Sequence, residues 1–179
     1  MANRSYLYTL DAVPTKKKKP KPVRSLSEWG WDIPMSHKIL ASESPKRCPS
    51  AIWPEHEIGV VADFAGGRDR LLAFLDVVAG SKPKNAKAFA EALAETKKTL
   101  ASKKHAGKFT LLECGEIFDM LDDDLVKSAD RLVEKEIPAL KKKVDAAIAG
   151  KEKKWASDVA KTWEKDLGLY WADVLYFEL

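Results

Sequence analysis

No stretch of this 179-residue chain approaches the ~18 consecutive apolar residues that a bilayer-spanning helix needs, so no membrane partner is expected. A secretory leader would need a basic start and an apolar run ending in small residues. Instead Met1 to Thr9 runs straight into strand-like sequence, and a cytoplasmic location is expected. Cysteine is scarce. Cys48 and Cys114 are far apart and share no motif, which argues against a disulfide framework or a zinc finger and for free thiols in or near the core. Histidine is scarce too: His37, His56 and His105 form no HxH, HxxxH or HExxH pattern. The phosphate-binding patterns GxGxxG and GxxxxGK[ST] are absent. No metal, cofactor or catalytic residue is expected from these motifs.

What the chain does have is a core-forming composition, 45% hydrophobic, and a net charge of +4. The charge is local. Lys16 to Lys19, Lys21 and Arg24 supply more positive charge than the whole chain's excess. The segment 14–25, PTKKKKPKPVRS, reads as an exposed Lys/Pro-rich loop, because like charges and prolines favour extended, solvated backbone. It lacks the interleaved aromatics of a nucleic-acid surface, so an acidic partner ranks ahead of nucleic acid.

Aromatic and β-branched residues predict a strand over 5–13. Helical spacing follows from Met35 to Ser42. Ile58 to Phe64 is the best internal strand, Ala65-Gly66-Gly67 turns the chain, and Arg68 to Val78 is amphipathic. Ala86 to Lys104 reads as a helix, Phe109 to Cys114 as a strand and Gly115 to Leu121 as a turn or short helix. From Leu125 to Ile148 the apolar residues Val126, Val133, Ile137, Leu140, Val144 and Ile148 keep helical spacing, with Pro138 expected to kink or split the run. Lys151 to Asp166 is a further helix, and Val174 to Phe177 a terminal strand sharing a sheet with the first. The expected fold is α+β (or mixed α/β): one domain over 1–179, with a small sheet of about four strands covered by several helices.

Two clusters stand out as candidate sites. In Ser27-Glu28-Trp29-Gly30-Trp31-Asp32, two tryptophans flank a glycine with a carboxylate on either side. Glu28, Trp29, Trp31 and Asp32 are read either as a recognition surface, since Trp concentrates binding energy, or as a loop pinned to the core. Glu113, Glu116 and Asp119 form an acidic cluster around Cys114-Gly115; no histidine is near in sequence, so a solvated face or helix cap is the leading reading, with metal binding or acid/base chemistry, His37 joining through the fold, as the alternative. Phe64 to Arg68 follows a strand and opens a helix, a geometry in which backbone amides can hold a phosphate, but without the full glycine pattern a plain strand-to-helix turn is the leading reading.

The blocks MANRSYLYTLD (1–11), SEWGWDIP (27–34), EIGVVADFAGGRDRLLAFL (57–75), LLECGEIFDM (111–120) and WADVLYFEL (171–179) carry a resemblance. The chain is similar to a family of small bacterial proteins of uncharacterised function with an ANRSYLY start and an LSEW…IP block. The resemblance implies a bacterial, cytosolic, single-domain protein and brings no catalytic residues. Its size and character also resemble those of immunity proteins. The function expected is therefore a non-enzymatic protein-binding module that neutralises a cognate toxin by occlusion. The alternatives are a small enzyme using the carboxylate cluster, or nucleic-acid binding through the lysine loop.

Overall fold

The computed structural model describes residues 3–16, 20–121 and 124–179. Inside its sheet lies β1 (Arg4–Leu10), whose neighbours are the edge strand β2 (Val23–Gly30) on one side and the middle strand β5 (Phe109–Glu113) on the other. Next to β5 comes β4 (Gly59–Asp63), and at the far edge β3 (Lys46–Cys48). All four pairings are antiparallel, giving the order β2-β1-β5-β4-β3.

β1 is buried on both faces. Ser5, Leu7 and Thr9 point to the side where the helices pack, with Leu7 in the main core beside Ile39, Phe74 and Leu112. Tyr6, Tyr8 and Leu10 point the other way, into a second core with Val61, Leu111 and Leu175. Among the described residues no helix contributes an apolar side chain to that second core. The loop around Ala51 and the last residues of the chain do so.

α1 (Met35–Leu40) and α2 (Phe64–Gly80) cross very closely. A Cβ at Gly67 would lie 2.1 Å from the Leu40 carbonyl oxygen, so only glycine fits. α2 begins at Phe64, earlier than expected, because the Asp63 carboxylate caps it by accepting from the Gly66 N–H at 2.7 Å. The glycine pair is therefore a packed helix start, and that amide is engaged rather than open to a phosphate. Arg70 ties α2 to Glu43 at 2.9 Å and to Asp145 at 2.8 Å.

Then follow α3 (Ala86–Ala101), α4 (Gly115–Met120), α5 (Leu125–Arg131), α6 (Ile137–Ile148) and α7 (Lys153–Asp166). The split expected at Pro138 is a π-helical turn over Leu132–Glu136. It places the proline in the first turn of α6, where its missing N–H costs nothing. No helix among the described residues is long and apolar enough to cross a membrane.

Two expectations need correction. The Lys/Pro-rich segment 14–25 is not a loop throughout: Val23, Arg24 and Ser25 pair with β1, and Pro14 and Pro20 are buried. Lys16 pairs with Glu57 at 3.2 Å, while Lys17 to Lys19 lie outside the described residues. Val174 to Phe177 is not a strand. Its backbone is spent elsewhere: Tyr176 N–H donates to the Glu28 carboxylate at 2.8 Å, and the Phe177 carbonyl accepts from Tyr8 Oη at 2.7 Å. The two ends of the chain do meet, through these side-chain bonds and a single backbone bond from Ala172 N–H to the Leu26 carbonyl at 3.1 Å, without forming a ladder.

The second core should thus depend on the tail. Leu175→Ala removes a fully enclosed side chain and should lower the unfolding free energy by about 2–4 kcal/mol. Urea melts of the two proteins check this, and an unchanged midpoint would show that the tail only rests on the sheet.

Candidate functional site

The Glu28–Asp32 segment is built by the end of the edge strand. Opposite partners in the ladder are Ser5 with Trp29 and Tyr6 with Glu28, so Trp29 lies on the helix side and Glu28 on the tyrosine side. Trp29 is half-buried. Its ring lies against Gly168, where an added Cβ would be 3.3 Å from Trp29 Cδ2 and 2.4 Å from Pro34 Cβ. Gly168 also has φ +62°, so the contact needs glycine twice over.

Trp31 has the opposite fate. It is 62% exposed and sits just past the strand at φ +69°, a left-handed conformation that is rare for a bulky side chain. Its N–H donates to the Asn3 carbonyl at 2.7 Å, which fixes the backbone. Asp32 beside it is exposed, its carboxylate accepting from the Ile33 N–H at 2.7 Å. Glu28 pairs with Arg4 at 3.4 Å as well as holding the tail. Arg4 in turn lies 5.0 Å from the ring centroid of Tyr176, which is 58% exposed. The four residues singled out in the sequence thus divide. Trp31 and Asp32 face solvent, Glu28 ties the tail to the strand, and Trp29 supports them from behind.

The acidic cluster divides as well. Glu113 and Glu116 meet Tyr6, Ser50 and Trp53 around a cleft of about 10 Å³, close to the volume of one water. Asp119 is exposed on α4 and does not line it. Glu116 accepts from the Arg4 N–H at 2.8 Å and from Tyr6 Oη at 3.2 Å. Burial, followed by the Glu116 charge, raises the Tyr6 phenol above its ordinary range. Glu113 is buried at the end of β5, where it accepts from Ser50 Oγ and from the Ala51 N–H, each at 2.7 Å. Burial pushes its pKa up to about 7, although both hydrogen bonds pull it down.

His37 is not part of that cluster. It lies on the helix side of the sheet, fully buried, between Ser5 Oγ at 3.2 Å and Ser27 Oγ at 2.8 Å. Each serine also reaches a carbonyl: Ser5 that of Asp32 at 2.9 Å, Ser27 that of Tyr170 at 2.6 Å. Burial pulls the imidazole down to about 3, so it is neutral and donates from one nitrogen only. One serine must therefore give its single proton to the ring, so only the other can donate to its carbonyl. No signal in the sequence pointed to this serine–histidine–serine bridge, because its members lie in three separate elements.

Burial also pushes the Cys48 thiol up to about 12 and raises that of Cys114, so neither is a ready thiolate nucleophile. Among the described residues no three His, Cys, Asp or Glu side chains converge as a metal-ligand set.

Residues 11–154 match a domain of unknown function, DUF7822. The match runs from just after β1 to the start of α7 and leaves out the tail. No curated protein and no solved structure matches the chain.

Glu113 and His37 have opposite pH dependences. A carboxyl raised from 4.5 to about 7 stabilises the fold while protonated, and that contribution is lost as pH rises through this interval. An imidazole lowered from 6.5 to about 3 gives a contribution that is full above 6.5 and lost as pH falls towards 3. Between about pH 5 and 6.5 the two slopes, each about 1.4 kcal/mol per pH unit at most, should largely cancel. In Glu113→Gln only the histidine slope remains, so its melting temperature should climb with pH across that interval while the parent's stays nearly level. Parallel profiles for the two proteins would show that Glu113 does not titrate there.

Proposed function

We propose that this chain, a member of the DUF7822 family, is a non-enzymatic protein-binding module that neutralises a cognate bacterial toxin by occlusion. The observation that carries this reading is Trp31. A solvated tryptophan at positive φ is unfavourable twice, in backbone and in exposed ring, and such strain concentrates where a protein functions. Its backbone N–H bond to Asn3 fixes the turn that presents the ring before any partner arrives, which cuts the ordering cost of binding.

Tryptophan is the residue type most enriched among those that dominate interface energies. Trp31 would enter a pocket on the toxin. Asp32 and the half-exposed Tyr170 and Tyr176 would form the surrounding rim. Trp29, Glu28 and Gly168 act one step back, keeping strand and tail together beneath the anchor. The toxin is expected to be encoded beside this gene.

The test pairs stability with protection. Trp31→Gly removes the ring and accepts the same φ, so it should melt within about 0.5 kcal/mol of the parent or slightly above it. It should nevertheless lose 2 kcal/mol or more of affinity for the neighbouring toxin, and with it the ability to restore growth to cells expressing that toxin. Trp29→Ala should instead lower stability. Full protection by a stable Trp31→Gly protein would rule out this anchor, and a neighbouring product without toxicity would rule out the immunity role.

A further inference from the structure

The opposite end of α7 carries a different surface. The last turns of α2 and α6 and the first turn of α7 enclose an open groove of about 510 Å³. Its floor includes Val77, Ala147, Ile148 and Ala156, and its rim carries Lys82 and Lys153. No carboxylate lines it among the described residues. Ile148 is 39% exposed, so the apolar floor opens to solvent.

Lysine dominates the surroundings. Between Gly150 and Lys154 three lysines face a single carboxylate, Glu152. Two nearby charges are already neutralised elsewhere: Lys141 by Glu43 at 3.0 Å, and Asp145 by Arg70. The rim is also held in place. Lys82 has φ +58°, and the loop that carries it is pinned on both flanks. Ser81 Oγ donates to the Val77 carbonyl at 2.8 Å, Lys84 N–H to the Ala160 carbonyl at 2.9 Å, and Trp163 Nε1 to the Lys84 carbonyl at 2.7 Å.

From this combination we infer that the groove docks an acidic segment of a partner protein. One apolar side chain of the segment enters between Val77 and Ile148, and its flanking carboxylates meet Lys82 and Lys153. Charge complementarity selects the acidic chain and speeds the encounter. The concave apolar floor selects a protruding side chain. A membrane surface fits less well, because amphipathic membrane contacts present a protruding apolar face rather than a hollow. Single-stranded nucleic acid would want a free aromatic platform. No aromatic lines the groove among the described residues, and Trp155, two residues after Lys153, is already stacked on Phe74 at 5.1 Å and covered by Lys143 at 4.9 Å.

α7 spans ~21 Å at 1.5 Å per residue, and its other end abuts Gly168 beside Trp29. The groove is thus separate from the Trp31 surface and stands without that reading.

Fluorescence anisotropy with two labelled synthetic peptides tests it: Asp-Asp-Leu-Glu-Asp and the same sequence with Gly for Leu. The full chain should bind the leucine peptide at least tenfold more tightly. Ser157→Trp, which fills the groove, should abolish that preference, and the pair Lys82→Glu with Lys153→Glu should weaken binding of both peptides at least tenfold. Trp31→Gly should bind as the parent does. Melting curves confirm folding, and Lys153→Gln supplies a milder charge change if the double variant is unstable. Equal affinity for the two peptides, or binding indifferent to the lysine changes, overturns the proposal. So does tighter association with phosphatidylserine vesicles than with the leucine peptide.

Discussion

An interior strand buried on both faces must find a partner for every polar atom it carries, and that constraint places much of this molecule. β1 holds Ser5, Tyr6, Tyr8 and Thr9, none of them exposed. Thr9 Oγ1 donates to the His105 carbonyl at 2.8 Å, which brings the end of the α3–β5 loop under the sheet. Tyr8 reaches the Phe177 carbonyl and Tyr6 reaches Glu116. Ser5 leads through His37 and Ser27 to Tyr170. The hydroxyls of one strand therefore anchor two helices, a loop and the tail. Losing any one acceptor would leave a buried hydroxyl with nothing to bond, at a cost of about 1–3 kcal/mol.

The two faces of the sheet are served differently. Helices cover one, where apolar side chains such as Leu71, Phe74 and Leu75 suffice. Irregular chain covers the other, and there the contacts are mixed: the ring of Phe177 lies 5.4 Å from that of Tyr6 at a steep angle, while Glu113 fastens the Ser50–Ala51 turn. The Trp31 surface lies where these two coverings meet at the end of β2. This gives it a rigid base assembled from both ends of the chain.

Elements with strong periodicity were legible from the sequence. β4, β5, α2, α3 and α7 lie close to where their apolar spacing put them. β2 was harder to see, because its first residues follow a lysine and proline run and its inward residues include Ser27. β3 is three residues of mixed polarity and leaves almost no pattern. The tail misled for a physical reason: alternating aromatics suit a strand, but here they cap a face instead of extending the ladder. For the candidate sites, the composition marked both clusters, while the ladder register decided which members face solvent. Trp29 and Trp31 are two residues apart, and a continued strand would have put them on one face. The left-handed turn at Trp31 breaks that alternation.

The contact between Tyr8 and Phe177 joins residues 169 positions apart. During synthesis the tyrosine face of β1 emerges early, and β5 follows only after more than half of the chain has been made. The face then waits for residues 172–177 before it is covered. At roughly 5–20 residues per second, that leaves several seconds in which an aromatic sheet face is open to other molecules on the ribosome. Late burial of the tyrosine face is thus a direct consequence of covering it with chain so distant in sequence.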